Sequence, residues 1–151
     1  MTDAARRPAD PPGGTRLAFS SCALAVRDLD ETLGFYRDVL GFEVRDDVEE
    51  GGARWVSVGS PSQPDVQIRL ERPGSVADVP PAVRSTLADL MANGVLCRLV
   101  FVTDDCDATF ACVEAAGADV MQEPVDRPCG VRDCAFLDPS GNLLRFTQPV
   151  A

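Results

Sequence analysis

The stretch Gly34–Phe42 (GFYRDVLGF) decides the fold, because it marks where a helix ends and a strand begins. Apolar side chains spaced at i, i+4, i+7 and i+11 predict a helix that runs to Val39, with an apolar face of Leu29, Leu33, Tyr36 and Leu40. Asp28 or Asp30 can cap its first turn, and Gly41 suits the left-handed backbone that follows a helix. The stretch therefore predicts an amphipathic helix followed directly by a strand.

Strand-like segments lie on both sides of this helix. Residues 18–26 (AFSSCALAV) precede it, and three further apolar segments follow it at 42–48, 54–58 and 66–70. Turns rich in Gly, Pro and Ser separate these segments, as is typical of short strands. The predicted order of elements is βαβββ.

The same order returns in the second half of the chain. A shift of 76 positions pairs Asp28 with Asp104, Gly41 with Gly117 and Arg69 with Arg145. After a connector with its own short helix at 72–94, the second half predicts a strand, a helix and three strands at 95–102, 105–116, 118–123, 131–137 and 142–148. An internal repeat of this kind predicts two copies of one module and a cleft between them.

We therefore predict an α+β fold in which two βαβββ modules in tandem form a curved mixed sheet around a shared cleft. The predicted parts are a disordered tail at 1–17, a first module at 18–73, a linker with a short helix at 74–94 and a second module at 95–151. Because modules of this size would be marginal alone, we expect the two modules to share one domain.

The composition excludes several classes of function. The formal net charge of −10 argues against binding to nucleic acid or to anionic membranes. The chain has no histidine and no lysine, which excludes a Ser-His-Asp triad, a Schiff-base lysine, a P-loop and a histidine metal site. The six cysteines form no CxxC pair, and no secretory signal is recognisable. We expect reduced thiols and a cytoplasmic protein.

Several segments resemble the vicinal oxygen chelate superfamily, also called the glyoxalase/bleomycin-resistance/dioxygenase group. They are Ala23–Asp30, Gly34–Phe42, Val100–Asp105, Ala116–Ala118 and Phe136–Asn142. The resemblance covers about residues 18–149 and implies paired βαβββ modules. Because the superfamily includes lyases, epimerases, dioxygenases, thiol transferases and drug-binding proteins, the resemblance implies no single activity.

In the metal-dependent members of that superfamily, the ligands come from the first and fourth strands of each module. The matching positions in this sequence are Ser21, Cys97, Arg69 and Arg145. A guanidinium group has no lone pair to donate, and two of them would repel a divalent cation. The resemblance therefore implies that the metal site of the superfamily is absent here, and we predict no cofactor.

The alternation of residues along a strand points both arginines into the cleft. We expect a largely apolar small-molecule site there, lined by Ser21, Trp55, Ser57, Gln67, Arg69, Cys97, Phe101, Asp133 and Arg145. The arginines could hold an anionic or carbonyl-rich planar ligand while Trp55 or Phe101 stacks on it. Alternatively, each arginine pairs internally with an acid such as Asp133 and holds no ligand.

Three functions remain after these exclusions. The first is a metal-independent small-molecule-binding protein of the glyoxalase/bleomycin-resistance type, often a homodimer, that sequesters an antibiotic or a planar or anionic metabolite. The second is a diverged glyoxalase-like or dioxygenase-like enzyme, acting as a lyase, isomerase or oxygenase through non-standard residues. A thiol flanked by two arginines could act as a nucleophile, which makes Cys97 the catalytic candidate. The third is a structural or regulatory partner module; of the three, we favour the binding protein.

Overall fold

The computed structural model describes residues 17–73 and 79–150, and it confirms the two βαβββ modules. In the first module, helix α1 continues into one π-helical turn at Phe35–Val39. The elements of this module are β1 (Ser21–Ala25), α1 (Leu29–Gly34), β2 (Glu43–Glu50), β3 (Ala53–Gly59) and β4 (Gln67–Glu71). They form a first sheet with the strand order β1-β4-β3-β2, in which β1 and β4 run parallel.

The second module repeats this arrangement after a helical connector. Its elements are β5 (Arg98–Val102), α3 (Cys106–Ala115), β6 (Asp119–Arg127), β7 (Val131–Leu137) and β8 (Leu143–Pro149), and the connector holds α2 (Pro81–Ala92). The second sheet has the order β5-β8-β7-β6, again with one parallel pair, β5 with β8. The predicted disordered tail, up to residue 16, and residues 74–78 of the predicted linker lie outside the described residues.

The capping residues of the two module helices show that the alignment of the modules by a shift of 76 positions is wrong by one residue before these helices. The Asp28 carboxylate accepts the N–H of Glu31 at the start of α1, and the Asp105 carboxylate accepts the N–H of Ala108 at the start of α3. Asp28 is therefore equivalent to Asp105 and not, as the shift of 76 positions implied, to Asp104. The π-helical turn adds one residue to the first helix, as such turns do, so Gly41 and Gly117 align again.

The modules meet through the sides of their sheets that carry the helices. The buried apolar residues of both sheets and both module helices belong to one core cluster, in which the Phe42 ring meets Phe101 at 5.6 Å between centroids. The Tyr36 hydroxyl of the first module donates to the Asp138 carboxylate of the second at 3.1 Å. Because α1 contacts the turn before β8, the helix layers lie between the two sheets.

The turn at residues 138–142 holds this junction together. The Asp138 carboxylate accepts the backbone N–H groups of Ser140 and Asn142 as well as the Tyr36 hydroxyl. Burial raises the pKa of Asp138, although these hydrogen bonds oppose the rise. The Ser140 hydroxyl in turn bonds Thr32 of α1 at 2.9 Å. The junction is thus a buried polar network within an apolar core, which fixes one relative placement of the modules.

Among the described residues, no helix is both long enough and apolar enough to cross a membrane.

Candidate ligand-binding faces

Each sheet has one side that packs on the core and one side that faces away from it. In the first sheet, alternate side chains such as Leu24, Ile68 and Leu70 are buried in the core. The opposite side, here called the first outer face, carries Ser21, Ala23, Trp55, Ser57, Gln67 and Arg69. The corresponding side of the second sheet, the second outer face, carries Arg98, Val100, Asp133, Ala135 and Arg145. Seven of the nine predicted site residues are divided between these two faces.

The first outer face presents an arginine that lies over an aromatic ring. The guanidinium carbon of Arg69 lies 5.4 Å from the centroid of the Trp55 ring, within the range of a cation–π interaction. Arg69 is exposed, and within residues 17–73 and 79–150 it makes no ion pair and no side-chain hydrogen bond. Its N–H groups are therefore available to a ligand.

Beneath this arginine lies a buried hydroxyl group. Ser57 stands directly across from Arg69 in the pairing of β3 with β4, and it is 1% exposed. Its side chain makes no hydrogen bond to another residue of the described ranges, and the same holds for Gln67 on the neighbouring strand. Within the described ranges, the first outer face thus combines one cation without an acid partner, one ring and two polar side chains without a hydrogen bond.

On the second outer face, the arginine is bound to an acid. Arg145 lies 3.1 Å from the carboxylate of Asp133, which also accepts Arg127 at 3.0 Å and Gln122. Burial raises the pKa of Asp133, but the hydrogen bonds from Gln122 and Arg127 and the charges of Arg145 and Arg127 outweigh burial. The net effect holds the pKa below its usual value. Asp133 is therefore an ionised, 8% exposed anchor for two arginines.

The two arginines are equivalent, but their neighbours are not. Trp55 stands across from Glu71, two residues after Arg69, and Asp133 stands across from Thr147, two residues after Arg145. The same position of the module thus holds an aromatic ring in one sheet and a carboxylate in the other. Of the two alternatives set out from the sequence, the internal ion pair describes Arg145, whereas Arg69 has no acid partner among the described residues.

Two predicted site residues lie on the other side of the second sheet. Cys97 precedes β5, and both Cys97 and Phe101 pack against the core. The Phe101 ring stacks on Phe146 at 5.5 Å between centroids. These two side chains therefore do not share a face with Arg69 or Arg145, because the one-residue error in pairing reversed the faces of β5.

Arg98 occupies the position that the sequence reading gave to Cys97. It stands across from Leu143 on β8, as Ser21 stands across from Gln67 on β4. Arg98 is exposed and makes no ion pair among the described residues. The aspartate cap at Asp105 was the signal in the sequence that could have placed Arg98 correctly.

The structure also argues against a nucleophilic role for Cys97. Burial raises the pKa of its thiol, and the backbone hydrogen bond from Arg98 opposes the rise only in part. A raised pKa leaves the thiol protonated near neutral pH, and the thiol is a poor nucleophile compared with the thiolate.

The positions that the resemblance assigned to metal ligands carry one hydroxyl group and three guanidinium groups. Ser21 and Arg98 lie on the first strands, and Arg69 and Arg145 lie on the fourth strands. Arginine offers no lone pair, and three guanidinium groups would repel a divalent ion. Within the described part of the chain, no three His, Cys, Asp or Glu side chains are placed to hold a metal ion.

A separate groove of 760 Å³ opens between the modules beside β5. Val39, Leu40, Phe42, Val100, Phe101, Val102, Thr103, Cys112 and residues of the 60–63 loop line it. Of the predicted site residues, only Phe101 contributes to this groove.

Comparison with known proteins identifies the family. Residues 18–146 match the family described as the Glyoxalase/Bleomycin resistance protein/Dioxygenase superfamily, and the chain belongs to this superfamily. The chain is similar to the crystal structure of UcmS2, with a TM-score of 0.79 and 31% identity over 88% of this chain and 98% of that one.

Two further similarities concern bacterial proteins. TnmS3, an antibiotic binding protein from Streptomyces sp. CB03234, gives a TM-score of 0.67 and 27% identity over 89% of this chain and 97% of its own. The uncharacterized protein YurT of Bacillus subtilis (strain 168) is 28% identical over 83% of this chain and 94% of its own length.

Proposed function

We propose that this protein is a metal-independent small-molecule-binding protein that acts as a homodimer. The ligand lies between the first outer face of one chain and the second outer face of its partner. Ser21, Trp55, Ser57, Gln67 and Arg69 contact it from one side. Arg145, held in place by Asp133, contacts it from the other.

One observation carries this proposal: Arg69 lies over Trp55 without an acid partner among the described residues. The equivalent Arg145 is held by the carboxylate of Asp133, and Arg45 of β2 is held by backbone carbonyls, whereas the donors of Arg69 are unused among the described residues. An arginine that keeps its donors free above an aromatic ring is arranged for a ligand. The antibiotic binding named for TnmS3 supports the same class of function.

A second chain is needed to close the cleft. Because the helix layers lie between the sheets, the two outer faces of one chain point away from each other. Both β1 and β5 are edge strands, and β5 exposes Val100 and Val102 at 59% and 75%. An apolar edge strand of this kind is suited to a partner. Placing β5 of one chain along β1 of another brings the two kinds of outer face together.

Two measurements on the purified protein test this proposal. Light scattering after size-exclusion chromatography should give twice the chain mass. Metal analysis should find no stoichiometric metal, and divalent ions should leave the melting temperature unchanged. A bound metal that strongly raises the melting temperature would instead favour the enzyme reading.

The site itself is tested by the double variant Arg69→Gln/Arg145→Gln. It should remain folded and dimeric but lose affinity for any ligand found in a screen of aromatic and antibiotic compounds. Unchanged affinity would sink the assignment of the site to these faces.

A further inference from the structure

The distribution of the arginines within the chain is uneven. In a protein of net charge −10, most cations should be drawn to the numerous carboxylates. Several are, since Arg37, Arg54 and Arg132 each pair with an aspartate. Among the described residues, Arg69 and Arg98 of the outer faces have no carboxylate partner, and the same holds for four arginines elsewhere, namely Arg27, Arg45, Arg72 and Arg84. What distinguishes Arg69 is its place over the Trp55 ring.

The partners of the two equivalent arginines determine what each can bind. Arg145 already pairs with Asp133, so part of its hydrogen-bonding capacity is used inside the protein. Trp55 interacts with the charge of the Arg69 guanidinium through its ring, and the N–H groups of Arg69 make no side-chain hydrogen bond among the described residues. A planar guanidinium in this state binds a carboxylate or sulfonate through two parallel hydrogen bonds.

The surroundings of Arg69 restrict the rest of the ligand. The half-buried Trp55 ring, under the guanidinium of Arg69, adds an aromatic group next to the anion-binding position. Ser57 adds a hydroxyl without a partner among the described residues, although it is 1% exposed, and Arg98 adds a further cation on the second outer face. Together these groups suit a molecule with an extended ring system and an acidic substituent at one end.

We propose that the cleft selects flat aromatic anions, and that Arg69, which lies over Trp55, binds the anionic group. The inference rests on the proposed function, since it concerns the ligand of the same cleft. It adds a chemical class and an orientation: the acidic group lies at the first outer face, and the remainder of the ring system extends towards the second.

A pair of fluorescent probes separates charge from shape. 8-Anilinonaphthalene-1-sulfonate is a flat aromatic anion, and N-phenyl-1-naphthylamine is the same ring system without the sulfonate. Trp55 is the only tryptophan of the chain, so energy transfer from its emission reports that a probe is bound, and the Arg69 variant tests whether the probe lies near Arg69. The variants are Arg69→Gln and, as the matched control, Arg84→Gln, which removes one exposed cation of α2 outside both sheets.

The sulfonate should bind the wild-type dimer saturably and quench Trp55, and Arg69→Gln should weaken it by about 10- to 100-fold, as expected for the loss of a charge-assisted hydrogen bond. Arg84→Gln should change its affinity little. The neutral probe should bind more weakly and respond to neither variant. Melting curves of both variants check that they remain folded.

Other outcomes overturn the inference in distinguishable ways. If both probes bind the wild type equally and Arg69→Gln affects neither, the cleft binds small molecules without selecting anions. If Arg84→Gln weakens the sulfonate as much as Arg69→Gln, the effect is one of net charge and Arg69 has no special role. If neither probe quenches Trp55, both the selectivity for anions and the placement of the ligand site are wrong.

Discussion

At the scale of single residues, Asp133 determines the charge state of the second outer face. Its carboxylate is nearly buried and is shared by Arg127, Arg145 and Gln122. Removing it would leave two guanidinium groups close together with only the side-chain oxygen of Gln122 as a shared acceptor. Asp133 therefore holds the Arg145 side chain in place, whether or not Asp133 itself contacts a ligand.

We expect Asp133→Asn to destabilise the protein by about 1–3 kcal/mol at neutral pH, because hydrogen bonds to a charged group are lost and the new amide repels the guanidinium groups. The pKa of Asp133 is lowered in the folded state, so its contribution to stability is present above the pKa of the unfolded chain. That contribution disappears as the pH falls through the lower, folded pKa. Denaturant titrations of both proteins from neutral to acidic pH check this.

The exposed Asp65 provides the matched control, since Asp65→Asn removes one negative charge that has no partner among the described residues. Its effect on the free energy of unfolding should be small. A stability gap between the wild type and Asp133→Asn that stays constant down to about pH 2 would show that Asp133 is not an ionised anchor.

At the scale of elements, a β-bulge on β2 controls the loop beside the groove. The pairing of β2 with β3 shifts between Val44 and Asp46, which leaves Arg45 outside the ladder. The guanidinium of Arg45 donates to the backbone carbonyls of Ser60, Gln63, Pro64 and Val66. Gly59 lies against the same guanidinium, and a Cβ at that position would collide with it. One side chain thus fixes the whole connection between β3 and β4.

We expect Arg45→Met to mobilise residues 60–66 while the rest of the fold remains intact. Methionine keeps the apolar stem but supplies no donor, so the four carbonyls turn to solvent. Hydrogen exchange followed by mass spectrometry should show faster exchange in this loop and little change in β7 and β8. Arg84→Met, on an exposed helix face, should leave the loop unchanged; slow exchange of the loop in Arg45→Met would contradict the assigned role.

The helix boundaries were predictable from the sequence. Which residues of β5 point to the core and which to the outer face was not. Gly41 and Gly117 end their helices with positive φ, and the aspartate caps start them, as their residue types indicate. The π-helical turn has no comparable signature in composition or spacing. Its extra residue shifted the first strands relative to each other, and in a strand a shift of one residue exchanges the faces. That is why Cys97 was predicted for a position that Arg98 occupies.

At the scale of the whole molecule, the relative placement of the modules determines what a single chain can do. The turn at 138–142 and the side chains of Tyr36 and Thr32 join the modules on their helix sides. The sequence predicted Arg69 and Arg145 as equivalent cleft residues, but a repeat does not reveal which sides of the modules meet. With the helix layers inside, a cleft that contains both arginines requires two chains, and a dimer would contain two such clefts.

Mixed dimers test this arrangement directly. In an Arg69→Gln homodimer or an Arg145→Gln homodimer, each cleft lacks one arginine, and we expect weak binding of 8-anilinonaphthalene-1-sulfonate in both. A heterodimer of the two variants, purified through a different affinity tag on each chain, should contain one cleft with both substitutions and one with neither. Titration followed by Trp55 quenching should then show wild-type affinity at about half the wild-type capacity. If each cleft were built within one chain, the heterodimer would bind as weakly as its parents.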